Sequence, residues 1–243
     1  MNEYAVQLFK DEKFDEAKTV FGIATDLDDR NENYRAHSGA AKYSLGQYES
    51  AIDDLTIALD LVDNHQIALT YRGYSWQAIG NYRAAVEDMS NVQCISAEHY
   101  YVAYYRGHLH EKFEQWQRAI DDYLLAFDLD STQTGAGVSL ARIQAGCPDA
   151  SFRDADKAIE NSQSMCARTN WKDWVPISVL AAAHAESGDF KSAIKYAQQA
   201  LDLAPEIEKP ERSLRVAQYQ NSEPFRIPAF NSNQENNDSS AQQ

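Results

Sequence analysis

"GQYESAIDDLTIALDL" occupies residues 46–61, and its pattern returns as "GNYRAAVEDMSNVQCI" at 80–95 and as "EQWQRAIDDYLLAFDL" at 114–129. An aromatic ring recurs at Tyr48, Tyr82 and Trp116, and an alanine at Ala51, Ala85 and Ala119, each step being 34 residues. An earlier copy, "EKFDEAKTVFGIATDL" (12–27), carries Phe14 and Ala17. A later one, "GDFKSAIKYAQQALDL" (188–203), carries Phe190 and Ala193. Inside each copy the apolar residues follow helical spacing. A fixed period of this length marks stacked units that each need a neighbour to bury an apolar face.

On these residues the chain resembles a tetratricopeptide repeat (TPR) protein over about residues 1–205. The resemblance implies an all-α, right-handed superhelical solenoid of about six helix-turn-helix units, each an antiparallel pair of helices A and B. The repeats fall at 1–31, 32–65, 66–99, 100–133, 134–173 and 174–205. Small residues stand where the family packs its helices closely, at position 8 (Gly39, Gly73, Gly107, Ala141, Ala181) and position 20 (the alanines above). Only the last repeat keeps the family's proline at position 32, Pro205, and the usual position-4 tryptophan is missing. From Ala119 the next matching alanine is Ala158, 39 residues on, so "CPDASFRD" adds about five residues between two helices. Asp154 is the expected N-cap of the helix that follows. The stretches "LARIQAGCPDASFRDADKAI", "CARTNWKDW" and "LAAAHAESGDF" resemble a C-terminal signature of bacterial TPR proteins.

Both ends carry expectations. Met1 falls at position 4 of its repeat, so the first helix is short, as in a chain whose start lies upstream or in an excised module. Residues 206–220, with Pro210 in a first turn, read as a capping helix over the last repeat. Residues 221–243, rich in Asn, Ser and Gln, read as a disordered tail whose deletion leaves the melting temperature unchanged, with "PFRIPAF" as a segment able to dock locally.

The resemblance also assigns faces. Positions 2, 5, 6, 9 and 13 of helix A line the family's concave groove, opposite the packing face. In "HYYVAYYRG" (99–107) this places Tyr101, Tyr104 and Tyr105 in the groove and Tyr100 at its margin. Tyr43, Tyr71, Tyr74, His108 and Arg142 extend the track. Tyrosine offers a large apolar face and a hydroxyl with few rotatable bonds, which suits a binding anchor. The alternative is that the rings stack on one another to fill a tight superhelix. A ring that only contacts a partner can be truncated without loss of stability. The lysine and asparagine clamp by which some TPR proteins hold a chaperone's C-terminal carboxylate is missing, since positions 5 and 9 are Ala36 with Ala40, Thr70 with Tyr74, and Tyr104 with His108.

Positions 7 and 23 read Ser38 with Asp54, Arg72 with Asp88, and Arg106 with Asp122, while the other repeats have neither arginine nor aspartate there. A guanidinium on a packing face needs a carboxylate, so Arg72–Asp88 and Arg106–Asp122 are expected ion pairs.

The net charge of −15 and pI near 4.7 exclude nucleic acid and anionic membranes as partners, since both would repel the chain. Cys94, Cys147 and Cys166 are too few and too unevenly placed for a disulfide framework or a paired metal motif. With no apolar run long enough to span a bilayer and no signal pattern, the chain reads as cytoplasmic. His108 and His110 stand two apart, about 200° around a helix, and cannot chelate one ion together. No cofactor or metal is expected. The sequence reads as a non-enzymatic protein-interaction scaffold that binds a protein or peptide. Two alternatives are an element of self-association and a thiol-dependent enzyme using Cys147.

Overall fold

The computed structural model describes residues 2–95 and 100–229. Cys94's side chain and residues 230–243 of the expected tail lie outside the described residues. Thirteen α-helices run through the described residues in antiparallel pairs. They are α1 (Asn2–Lys10) with α2 (Phe14–Leu27), α3 (Glu32–Ser44) with α4 (Tyr48–Leu61), α5 (Gln66–Ala78) with α6 (Tyr82–Ile95), and α7 (Tyr100–Lys112) with α8 (Trp116–Leu129). The series continues with α9 (Thr134–Gly146) and α10 (Ala155–Arg168), then α11 (Trp174–Glu186) and α12 (Phe190–Leu203), and closes with α13 (Lys209–Gln220). The chain divides into two compact units, Met1–Leu109 and His110–Phe230.

One turn chemistry ends the A helices. In the second repeat the Gln47 N–H reaches back to the Lys42 carbonyl, closing the helix with Gly46 at φ +74°. The same bond recurs from Asn81 to Trp76, Gln115 to His110 and Asp189 to His184. Glycine takes this left-handed position at Gly46, Gly80 and Gly188, whereas Glu114 is forced into it at φ +55°. In the fifth repeat the turn is replaced by a longer path. The Asp154 N–H bonds the Gln144 carbonyl, a short 3-10 turn covers Ala150–Phe152, and the Asp154 carboxylate accepts the Lys157 N–H to cap α10.

That bond holds the Asp154 carboxyl below its ordinary pKa. Its contribution is present above the unfolded pKa and fades as the pH falls through the folded one. Asp154→Ala is therefore expected to lower the melting temperature at pH 7 more than at pH 3, read by circular dichroism.

The repeated alanines explain the period. Ala17, Ala51, Ala85, Ala119, Ala158 and Ala193 are all fully buried. Across from them the helices approach closely, and a Cβ added at Gly39 would stand 2.4 Å from Leu55 Cγ. In the first unit Leu55, Leu69, Met89, Val92 and Leu109 fill the core. In the second, α13 buries Val216 and Tyr219 against α12.

The tail expectation is corrected over residues 221–229. Ile227 is buried and its N–H bonds the Gly146 carbonyl at 2.8 Å. Arg226 donates to Glu186, which also receives Arg153 from the inserted loop. Phe225 stands so close to Gly146 that a Cβ there would meet its ring at 2.5 Å. "PFRIPA" supplies apolar side chains at the points where α9 has none of its own, and this local docking outweighs the polar composition around it.

Candidate protein-interaction site

The A helices of the first unit carry a continuous ladder of rings. Tyr43 of α3 lies 5.6 Å from Tyr71 and 5.8 Å from Tyr74, both on α5, measured between ring centroids. Tyr74 meets Tyr105 of α7 edge-on at 4.8 Å, and Tyr105 meets Tyr104 at 5.8 Å. Tyr104 has His108 against its ring at 4.6 Å. The 34-residue repeat sets these rings at matching heights on neighbouring helices. Edge-to-face contact, which suits the quadrupole of an aromatic ring, dominates the column.

The ladder extends beyond the expected residues. Phe9 of α1 joins it, 6.2 Å from Tyr71, and Phe14 lies 5.2 Å further along. Phe9 stands 34 residues before Tyr43, so the repeat register carried a signal for it. Tyr100, expected at the margin, is instead only 8% exposed and stacks on Tyr104 at 5.5 Å. Its place at the first turn of α7 turns the ring back over the helix face. Tyr101 is 55% exposed, with its ring 5.2 Å from Tyr100.

Burial divides the track into two kinds of ring. It raises the phenol pKa of Tyr43, Tyr71 and Tyr74, most of all at Tyr74, so all three hydroxyls keep their protons at neutral pH. Tyr74 has rings on three sides, from Tyr43, Tyr71 and Tyr105. The expectation that it can be truncated freely is corrected, and Tyr74→Ala should cost about 2 kcal/mol in urea unfolding. The rings nearer α7, above all Tyr101, keep accessible faces.

Arg142 lies in the second unit, apart from the ladder's residues. Its Nη2 donates to both carboxylate oxygens of Glu111, at 2.6 and 2.7 Å, and the Tyr123 hydroxyl donates to the same carboxylate. Arg72 and Asp88 form a two-pronged pair, Nε to Oδ2 at 2.8 Å and Nη2 to Oδ1 at 2.7 Å, with Nη1 donating to Thr56. In the second repeat, where Ser38 replaces the arginine, its hydroxyl donates to Asp54, and Lys42 supplies the charge at 2.7 Å. Arg106 belongs to the first unit and Asp122 to the second, and their pairing remains a sequence expectation. His110 turns away from a chelating role. Its Nδ1 is 2.7 Å from Gln115, and its Nε2 is 3.7 Å from Asp122.

The two described cysteines are fully buried. Burial pushes the Cys147 thiol up and the Cys166 thiol up to about 12, so neither supplies a thiolate at neutral pH. Among the described residues no group of three or more His, Cys, Asp or Glu side chains could hold a metal ion, and no helix is long and apolar enough to cross a membrane.

No protein-family model matches the chain, and no curated protein matches its sequence. Solved structures do match. MamA is 21% identical with a TM-score of 0.63, over 74% of this chain and 94% of that one. YrrB, described as a TPR protein with an unusual peptide-binding site, is 15% identical with a TM-score of 0.69, over 83% and 97%. A tetratricopeptide repeat protein from Parabacteroides merdae is 15% identical with a TM-score of 0.65, over 90% of each chain. At such identities the likeness is one of fold, the all-α helical-repeat solenoid of TPR proteins.

Proposed function

We propose that the chain is a non-catalytic scaffold that holds an extended peptide or partner helix against the aromatic face of α5 and α7. The observation that carries this reading is the graded burial of the ladder. Tyr43, Tyr71 and Tyr74 support one another, and on that support Tyr101, Tyr104, Tyr105 and His108 present partly exposed rings. A surface of supported rings loses little side-chain freedom when a partner docks, which favours affinity. YrrB, similar in fold, is described as having a peptide-binding site, and that gives the reading a precedent. The buried, protonated state of Cys147 weighs against a thiol-dependent enzyme.

Peptides selected from a random library against the full chain provide the test. Their affinities should fall about thirtyfold on Tyr101→Ser, as for a hot-spot anchor, with the melting temperature unchanged. Peptides that bind wild type and Tyr101→Ser equally would place the binding surface elsewhere.

A second reading, self-association through the first repeat, has its own observation in the exposed apolar side chains of Tyr4, Ile23 and Leu27 on α1 and α2. A sedimentation mass that rises with concentration, and falls back on Leu27→Glu, would favour it.

A further inference from the structure

A separate site lies in the second unit. Between α9, α11 and α13, closed on one side by the docked Phe225 and Pro228, is a cavity of about 260 Å3. Arg142, Arg212 and Arg215 line it together with Ser178, Val179 and Tyr219. Three guanidiniums around one cavity are conspicuous in a chain of net charge −15.

Two of them are held by ring faces. Arg212 lies over the Trp174 ring at 5.0 Å and Arg215 over the Phe225 ring at 4.2 Å. A guanidinium stacked in this way has its plane fixed and its N–H edge left for a planar anion. Both side chains are largely buried, at 16% and 23% exposure.

Hydrogen-bonding capacity is left over inside. The Tyr219 hydroxyl is buried without a hydrogen-bond partner on a residue only 1% exposed, and Arg212 Nε is likewise buried and unpartnered. Arg215 and Arg212 both act on the Tyr219 phenol, pulling its pKa down against the larger effect of burial, so the three polar groups share one neighbourhood. Orphaned donors of this kind cost stability unless a ligand satisfies them.

The chain itself shows which anion fits. One oxygen of Glu211, an exposed side chain, lies 2.6 Å from Arg212 Nη2 and 3.7 Å from Arg215 Nη2. A carboxylate therefore already sits between the two guanidiniums, at the rim of the cavity. Small size and apolar walls, from Val179, Ala182 and Phe225, suit one or two peptide residues better than a larger ligand.

We propose that this cavity binds a peptide carboxylate, seated between Arg212 and Arg215 and accepting a hydrogen bond from the Tyr219 hydroxyl, with Glu211 as the internal occupant that it displaces. The site uses none of the residues of the tyrosine ladder and stands independently of it. The carboxylate comes from an acidic side chain or from a chain terminus.

Titration of the full chain, followed by the arginine side-chain Nε–H signals in NMR, tests this with four probes. Acetyl-Glu-Glu-Glu-amide offers side-chain carboxylates only, and acetyl-Ala-Ala-Ala with a free C-terminus offers a terminal one. Acetyl-Gln-Gln-Gln-amide is neutral, and inorganic phosphate is the competing anion. At least one carboxylate probe should shift Arg212 and Arg215 saturably, and which one does identifies the source. Glu211→Gln should tighten that binding, and Tyr219→Phe should weaken it about tenfold without loss of stability, because it removes a hydroxyl unsatisfied in the free protein. Tyr101→Ser should leave it unchanged. Failure of both carboxylate probes to exceed the glutamine probe would overturn the proposal, as would equal shifts with phosphate or weaker binding by Glu211→Gln.

Discussion

Arg72→Met is expected to lower folding stability by about 3 kcal/mol at pH 7, the largest effect of any single substitution considered. The cost arises less from the lost attraction than from what is left behind. Asp88 is only 3% exposed, and both of its oxygens are bonded to the Arg72 guanidinium. Methionine fills much of the same space but leaves a buried carboxylate with no counter-charge.

The pH dependence has a definite sign. Burial raises the Asp88 pKa above its ordinary 3.8, against the opposing hydrogen bond and charge of Arg72. A carboxyl with a raised folded pKa favours the folded state below its unfolded pKa, and that advantage is lost as the pH rises through the folded value. Removing Arg72 lifts the folded pKa further. The deficit of the variant should therefore shrink as the pH is lowered from 7 toward 5, where Asp88 takes up a proton. Thermal melts at the two pH values check this, and an equal deficit at both would show that Asp88 has reached water. Adding Asp88→Leu should recover most of the loss, because a well-packed apolar pair can replace a buried ion pair.

A chain ending at Gln220 is expected to lose about 3 kcal/mol, chiefly from the burial of Phe225 and Ile227. The Ile227 N–H bond to Gly146, the Gln218 amide bond to the Pro224 carbonyl and the Arg226 contact with Glu186 go with them. Gly146→Ala should give a smaller loss in the same direction, since its Cβ needs space that Phe225 occupies. Urea unfolding of the three chains decides the matter. An unchanged midpoint for the shortened chain would mean that the strap contributes nothing to the second unit.

The helical-repeat fold was legible in the sequence because it rests on short-range regularities. Alanine at Ala51 and Ala85 recurs every 34 residues since only a small side chain lets α4 and α6 approach their neighbours, and each of these alanines is fully buried. The Arg72–Asp88 pair was legible for a related reason, in that one repeat fixes the offset of 16 residues that brings the two charges together. The inserted loop and its Asp154 cap followed from a break in the same count.

Other features depend on where distant segments meet. Composition marked residues 221–229 as polar tail, yet Phe225 and Ile227 dock because α9 ends in a glycine that leaves room for a ring, and no local pattern encodes that fit. Helical register placed Tyr74 on a groove face, and only the packed structure shows that Tyr43, Tyr71 and Tyr105 enclose it there. Arg212, Arg215 and Tyr219 looked like the polar and apolar faces of an ordinary capping helix. Their shared cavity exists because Trp174 and Phe225, dozens of residues before and several after, hold the guanidinium planes in place. Periodicity thus determined the helices and the faces they bury. The tertiary structure decided which rings and charges lost contact with water, because burial depends on every segment packed around a group and not on its own neighbours in sequence.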